Sequence, residues 1–400
     1  MSQLVIHDLS NEDWSRISGD YPGCEVVSDN GSIRPCTGCF CCWNKTPGRC
    51  AVRDGYENMG YLIHHADEVV VISRCTYGGF SGFVKNVFDR CLGYVLPQFE
   101  VIRGETHHKK RYDETKPFTF IFYGTVLSEA EKDSARRYVQ AVCANIHGCV
   151  KDVIFHEIKQ EDTGSPEKSV HLERTETGSR GRIILLTGSM RSETGNSARL
   201  ARQLMKQIKE ESRKEPEKTP ERTAEIVNLR NWLSDLPGLV RELEDAQTVV
   251  LCVPLYVDGL PSQVIRLLEN FRDGYRGGCK KIYVLANMGL YESSQLVNLF
   301  SAVRQWTEEM GFEYCGGLGL SAGELVGVLM QFIPFSIGPT KKISKGMDRL
   351  ASAVARSTPI EDIYAEPHHF PRALYIKIAN DNWNRTAKRN GIRPEELYRQ

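Results

Sequence analysis

Three stretches of this 400-residue chain carry residue types whose spacing can do chemistry. The densest runs Arg34-Pro-Cys36-Thr-Gly-Cys39-Phe-Cys41-Cys42 and closes at Cys50 after a Pro47-Gly48 turn. Its C-x2-C-x2-C-x7-C spacing lets one loop wrap Cys36, Cys39 and Cys42 around a [4Fe–4S] cubane, with Cys50 as the fourth thiolate. Two other readings fit the same letters. Four thiolates also suit structural zinc, although zinc sites usually arrive as two separated knuckles. Thiols without metal serve packing, or a redox-active pair. Cys41 adds a fifth sulfur, able to replace Cys42 or to point into the core.

The second stretch is Gly188-Ser189-Met190-Arg191, continuing through Gly195-Asn196-Ser197. It follows a strand-like run at 183–187 and precedes a helical stripe of Ala198, Leu200, Ala201, Leu204 and Ile208. A strand, a glycine-bearing loop and a helix offer backbone N–H groups, hydroxyls and a positive helix end to a phosphate. Any strand-to-helix turn favours Gly, Ser and Asn, so this loop gains meaning from the next strand end. There Pro254-Leu255-Tyr256-Val-Asp-Gly259-Leu-Pro can lay a rigid turn and an aromatic beside a planar ring. The third stretch, Cys75-Thr-Tyr77-Gly78-Gly79-Phe-Ser-Gly82, has the same character.

The elements that must position these loops recur in pairs. Apolar runs of strand length at 4–7, 69–73, 118–123 and 150–156, and again at 183–187, 224–228, 249–253 and 282–286, alternate with longer amphipathic segments. Such alternation predicts an α/β chain of doubly wound parallel sheets with helices on both faces. Gly79, Val84, Val87, Phe88 and Asp89 align with Gly259, Val264, Leu267, Leu268 and Glu269, with one extra residue placed after Tyr256. Two tandem copies of one fold follow. The charged, aperiodic segment 159–180 reads as the linker between a first domain at 1–158 and a second at 181–400, the latter with a C-terminal helical extension.

The first copy lacks the phosphate loop. Its opening strand ends in Asp8-Leu-Ser10-Asn-Glu-Asp13-Trp14, a Ser- or Asn-capped helix start whose acidic first turn would repel a phosphate. Between the third helix and the fourth strand lies a basic run, His107-His108-Lys109-Lys110-Arg111, read either as a clamp for nucleotide phosphates or as a solvated loop. The apolar stretch 325–337 reads as a core helix, and the aromatic tail from Phe370 as terminal helices packed on the second domain or on a partner subunit.

The segments GSMRSETGNSARLA and VPLYVDGLPSQV resemble the flavodoxin-like NAD(P)H-dependent FMN reductases, and the cysteine loop with its following ring loop resembles the iron–sulfur flavoproteins. The resemblance implies two flavodoxin-like domains. It implies FMN, its phosphate held by Ser189, Arg191, Asn196 and Ser197. The isoalloxazine would be flanked by Pro254, Leu255, Tyr256 and Gly259, with Tyr77, Gly78 and Gly79 the matching ring loop of the first copy. Met288 and Tyr291 stand at the third strand end, and a cluster would sit on Cys36, Cys39, Cys42 and Cys50. Ile265 replaces the family's usual lysine after the ring loop of the second copy.

Composition narrows the rest. With 41% hydrophobic and 26% charged residues the chain is an ordinary globular one, not fibrous or disordered. Lys+Arg and Asp+Glu both number 51, so there is no broad basic field for nucleic acid or anionic lipid. The start has no signal-peptide pattern, and the 13 cysteines are odd in number, which places the chain in a reducing cytoplasm. No Ser-His-Asp arrangement, HExxH or Walker loop is visible. The reading is an NAD(P)H-dependent FMN oxidoreductase passing electrons, with or without the cluster, to a small-molecule or redox-protein acceptor, either as a single chain or as a homodimer. A non-enzymatic electron carrier and a zinc-stabilised interaction protein with a vestigial flavin fold are the alternatives.

Overall fold

The computed structural model describes residues 2–158, 181–191, 195–214 and 222–398. The strands and helices run β1 (Gln3–His7), α1 (Asn11–Ile17), β2 (Glu25–Ser28), α2 (Cys41–Asn44), α3 (Met59–His65), β3 (Glu68–Arg74), α4 (Gly82–Arg90), β4 (Val95–Ile102), β5 (Glu105–Lys110), β6 (Pro117–Gly124), α5 (Glu129–Asn145) and β7 (Cys149–Glu157). They continue as β8 (Arg182–Thr187), α6 (Asn196–Lys214), β9 (Thr223–Asn228), α7 (Leu236–Glu242), β10 (Ala246–Pro254), α8 (Ser262–Gly274), β11 (Lys281–Asn287), α9 (Val297–Glu309), β12 (Glu313–Leu320), α10 (Gly323–Leu329), α11 (Lys341–Arg356), β13 (Ile363–Ala365) and α12 (Arg372–Arg389). The linker expected at 159–180 lies outside the described residues.

Two compact units emerge. Unit 1 comprises Met1–Ser165, Val257–Ser262 and Ala373–Gln400, and unit 2 comprises Pro166–Tyr256 and Gln263–Arg372. The sheet of unit 1 is ordered β2-β1-β3-β6-β7 and is parallel throughout. With the antiparallel β4–β5 hairpin set aside, this is the 2-1-3-4-5 order of the flavodoxin-like fold. Unit 2 repeats that order as β9-β8-β10-β11-β12 and adds β13 at the edge. The α/β, doubly wound reading holds in both.

Period-two burial fixes which side chains meet which layer. In unit 1, Leu4, Ile6, Val69, Val71, Phe118, Phe120 and Phe122 join one core with α4 and α5. Val5, Val70 and Ile72 face the other way, toward Trp14 and Ile17 of α1. In unit 2, Ile183, Leu185, Val250, Cys252, Tyr283 and Leu285 pack on Leu200 and Leu204 of α6 and on Met347 and Leu350 of α11. Burying such β-branched and aromatic chains stabilises by roughly 1.5–3 kcal/mol each. Caps fix where helices begin: Ser128 and Glu131 form a capping box on α5, and Ser81 caps α4.

Three expectations change. The basic run at 107–111 is neither a clamp nor a solvated loop: His107 lies within β5, and both His107 and Arg111 are buried. Arg111 donates from Nε to the Gly93 carbonyl at 2.6 Å and from Nη1 to that of Leu397. The stretch 325–337 is helical only to Leu329. Pro334 has no N–H to continue a helix, and Phe332 is 79% exposed. The aromatic tail from Ala373 belongs to unit 1, where Trp383 meets Phe40 and Trp43 edge-on, each at 5.3 Å.

Candidate functional site

The loop after β8 begins with a close approach that only glycine allows. Gly188 donates its N–H to the Cys252 carbonyl at 3.0 Å, and a Cβ there would stand 2.6 Å from Val264 and 2.8 Å from Val253. Ser189 Oγ accepts the Arg191 N–H at 3.3 Å, while Met190 turns inward and is buried. The Arg191 guanidinium stands 3.8 Å from the Glu324 carboxylate. The helix α6 begins at Asn196, and the Arg199 N–H returns to the Gly195 carbonyl at 3.1 Å. Ser197 is buried and donates from Oγ to Asn287 Oδ1 at 2.7 Å, which ties the start of α6 to the end of β11. A Cβ on Gly327 would collide with Asn196 Oδ1. Ser189, Arg191, Asn196 and Ser197 therefore share one strand-to-helix turn at the point where chain direction reverses in the sheet. Hydroxyls, an arginine and the N-terminus of a 19-residue helix make a donor set that fits a phosphate dianion.

The neighbouring loop follows from β10. Pro254 is the last residue of that strand and buried, Leu255 donates to the Asn287 carbonyl at 2.8 Å, and Tyr256 is half-buried. Met288 and Tyr291 stand after β11. The Met288 carbonyl accepts the Gly323 N–H at 2.7 Å, and Tyr291 Oη donates to the Phe370 carbonyl. In unit 2, then, Ser189, Arg191, Asn196 and Ser197, predicted to hold a phosphate, and Pro254, Leu255 and Tyr256 all lie at the carboxyl ends of adjacent strands.

The same backbone position is filled differently in unit 1. Asp8 donates its N–H to the Ile72 carbonyl at 3.3 Å, the counterpart of the bond made by Gly188. Its carboxylate accepts the Arg74 N–H at 3.1 Å and the Tyr123 hydroxyl at 3.0 Å, and burial raises its pKa. A carboxylate stands where the other unit has a glycine, and the helix start beyond it is already capped by Ser10.

The ring loops show a shared turn. Thr76 and Gly79 exchange two backbone hydrogen bonds at 2.9 and 3.0 Å, with Tyr77 at φ +53° and Gly78 at φ +68°. Val257 and Asp258 have φ of +36° and +60° at the matching places. Tyr77 thus corresponds to Val257, and the extra residue placed after Tyr256 is not needed. Gly259, expected in the ring loop of the second copy, falls instead in unit 1, where it and Gly79 both close on Tyr138: a Cβ would meet its ring at 3.5 Å from Gly79 and 3.1 Å from Gly259.

Sequence reasoning missed the polar network beneath this turn. Asp258 Oδ1 accepts Asn145 Nδ2 at 2.6 Å, and Asn145 Oδ1 lies 2.7 Å from His107 Nδ1. Oδ2 of Asp258 is buried without a hydrogen-bond partner. Burial lifts this carboxyl to about 6. Lys85 and Asp89 form a buried ion pair on α4, and Asp89 Oδ2 accepts the Ser262 N–H at 2.9 Å. The i,i+4 charge pair among the apolar Phe83, Val84, Val87 and Phe88 was the legible signal.

The cysteine loop is held by Trp43, whose indole N–H donates to the Leu92 and Val95 carbonyls at 2.7 and 3.0 Å. Cys36 takes the Gly38 N–H, and burial pushes its thiol up to about 12. Burial also holds the Cys42 thiol well above its usual value. Arg90 hydrogen-bonds both Cys50 and Asp54. Cys39 accepts from the Cys41 backbone, the Thr37 hydroxyl and the Cys41 thiol, and although lost solvation opposes it, these donors bring its pKa below the ordinary thiol value. Among the described residues no group of three or more His, Cys, Asp or Glu side chains is arranged to hold a metal ion. The predicted ligand set Cys36, Cys39, Cys42 and Cys50 shares a neighbourhood, with Cys36, Cys50 and Cys39 all acting on the Cys42 thiol, but it is not arranged as such a group.

No family model matches this chain, and no curated protein does. Among solved structures, an FMN-dependent NADH-azoreductase from Bacillus anthracis str. Ames Ancestor in complex with FMN aligns with a TM-score of 0.32 at 13% identity, covering 44% of this chain and 99% of that one. An apo NADH:FMN oxidoreductase gives 0.35 at 14%, covering 48% and 98%. An NAD(P)H:quinone oxidoreductase from Methanothermobacter marburgensis gives 0.28 at 13%, covering 48% and 98%. The strand orders above, rather than these likenesses, identify the fold.

Proposed function

We propose that this chain is an NAD(P)H-dependent flavin oxidoreductase that binds FMN on unit 2. The observation that carries the reading is the contrast at one backbone position. Gly188 opens unit 2 to a phosphate beside Ser189, Arg191, Asn196 and Ser197, whereas Asp8 closes unit 1. Bound FMN would supply two-electron hydride and one-electron chemistry. The chain's own task is then to bind and orient. Arg191 and the first turn of α6 neutralise the phosphate, the Ser197–Asn287 bond fixes that turn to the sheet, and Pro254, Leu255 and Tyr256 border the place for a planar ring. No acid–base pair is required of the protein for hydride transfer to a flavin. The acceptor is a small oxidant or a redox protein, and a homodimer is part of the reading. Thirteen free thiols favour a reducing cytoplasm, and among the described residues no helix is long and apolar enough to cross a membrane.

The test uses the full chain with Gly195→Asp, which puts a carboxylate in the phosphate loop. A lost charge-assisted hydrogen bond is worth roughly 1.5–3 kcal/mol, so FMN affinity should fall at least about tenfold. Asn11→Asp, on α1 of unit 1, should leave flavin content unchanged. Rapid mixing of the flavin-loaded protein with NADH or NADPH should bleach the flavin; a flavin that stays oxidised makes the protein a carrier. Full flavin content in the Gly195 variant removes the proposed site.

A further inference from the structure

We infer that the exposed face of 325–345, on unit 2, docks this chain on an anionic lipid surface. The stretch carries two sets of apolar side chains with opposite fates. Val326 is buried in the core of unit 2, and Met330 and Phe335 pack against that core. Val328, Phe332 and Ile337 stand in solvent instead, 51%, 79% and 50% exposed, and Phe332 is the most exposed large apolar side chain among the described residues. Exposed apolar side chains scattered singly are ordinary. Three of them between 328 and 337, on a backbone held in place, make a patch. The Phe332 and Ile333 N–H groups both return to the Leu329 carbonyl at 2.9 Å, and the Ile337 N–H returns to that of Pro334 at 3.2 Å. The buried Thr340 donates its hydroxyl to the Ile337 carbonyl at 2.9 Å. Exposure here belongs to the folded turn, whose inward set anchors it while the outward set faces water.

The charges beside the patch indicate what covers it. No Asp or Glu occurs between Glu324 and Asp348, whereas Lys341, Lys342 and Lys345 follow the apolar turn and are all exposed. Lys341 and Lys342 open the 16-residue helix α11, an end that no side chain caps and where the helix dipole favours acids. Helix stability would place cations at the other end; here they add to the positive one. The field reaches the neighbouring loop. The His368 N–H donates to the Pro339 carbonyl at 2.8 Å, and lost solvation, then the charges of His369 and the three lysines, hold the His368 ring below its ordinary pKa. Apolar side chains rimmed by cations match a bilayer surface, where acyl chains lie beneath anionic headgroups. A second copy of the chain fits less well, because a two-fold contact would bring the same three lysines to both sides of one interface. The zero net charge of the chain excludes a broad basic field, not a local one. None of these residues is among those predicted to hold FMN, so the docking face is independent of the flavin reading.

The experiment floats the full-length protein with vesicles of phosphatidylcholine and phosphatidylglycerol in equal parts, and with vesicles of phosphatidylcholine alone. Wild type should bind the mixed vesicles, dissociate as salt screens the charges, and stay off the neutral ones. Phe332→Ser should lower the partition coefficient at least about tenfold. Lys342→Gln and Lys345→Gln should each lower it roughly fivefold. Val126→Ser, at a side chain of unit 1 that is 77% exposed, should leave it unchanged, with circular dichroism confirming that every variant folds. Phe332→Trp should bind as wild type does and show quenching by lipids brominated along the acyl chain beyond that of wild type, which places the side chain among the acyl chains. A wild type that fails to float with the mixed vesicles, equal binding to neutral and mixed vesicles, or a Phe332→Ser protein that binds as wild type does would each overturn the inference. So would a concentration-dependent dimer, seen by sedimentation, that Phe332→Ser dissociates, since that result assigns the face to a second copy.

Discussion

Asp258→Asn would remove a charge that unit 1 holds at a cost. The side chain is 3% exposed, one oxygen is bonded to Asn145 at 2.6 Å, and the other is buried without a partner. Lys85, on α4, and His107, on β5, pull its pKa down and Glu105 pushes it up, but burial dominates and lifts it from 3.8 to about 6. The fold therefore favours the neutral acid. That contribution is complete below the unfolded value and is lost as pH rises through the folded one. A rise from 3.8 to about 6 corresponds to about 3 kcal/mol of unfolding free energy lost by neutral pH. Asparagine keeps the shape, tolerates φ +60° and still offers an oxygen to Asn145. The variant should be more stable than its parent by about 2–3 kcal/mol near neutral pH, with the gap closing below about pH 4. His7 and His108, both lowered to about 4 by burial, make the fold more stable as pH rises, but they are common to both proteins and cancel in the difference. Urea unfolding of both proteins across this pH range, followed through the tryptophan fluorescence of unit 1, measures the gap. A gap independent of pH, or a variant less stable than its parent near neutrality, would refute the reasoning.

Two further outcomes follow from packing. Gly327→Ala drives a methyl into the Asn196 side chain and turns that amide away from the loop, so flavin retention should fall roughly tenfold while unit 1 keeps its unfolding midpoint; fluorescence titration with FMN checks the first half of that statement and urea unfolding the second. Trp383→Ala empties the space against Phe40 and Trp43 and should destabilise unit 1 by about 3–5 kcal/mol, lowering its urea midpoint, with little effect on hydrogen exchange in β8 and β10.

The α/β plan was legible because its strands are continuous apolar runs: all eight runs read from the sequence fall inside observed strands, from β1 to β11. Short or mixed strands hid. Glu25–Ser28 is four residues long, and Glu105–Lys110 is polar and buries the consecutive Thr106 and His107, so it shows no period-two pattern. The strand-to-helix turn at 188–197 was legible because glycine and serine at a strand end have a local backbone reason. The Asp258 network was not, since three residues far apart in sequence become one chain of hydrogen bonds only through tertiary packing. The cysteine spacing left cluster, zinc and metal-free thiols open, and the left-handed backbone at Phe40 inside it leaves no trace in spacing.

The segmented make-up of unit 1 sets an order of events during synthesis. Its first piece ends at Ser165, and its last begins only at Ala373. A ribosome needs roughly 10–40 s to cover the intervening stretch of about 200 residues. Throughout that interval Phe40 and Trp43 have no Trp383 to cover them, and the backbone of Phe99 lacks its two hydrogen bonds to Asn380, at 2.7 and 3.1 Å. Unit 2 has all of its own strands before α12 exists. The nascent protein therefore completes its second unit first, and its N-terminal unit matures last, after the final helix has left the ribosome.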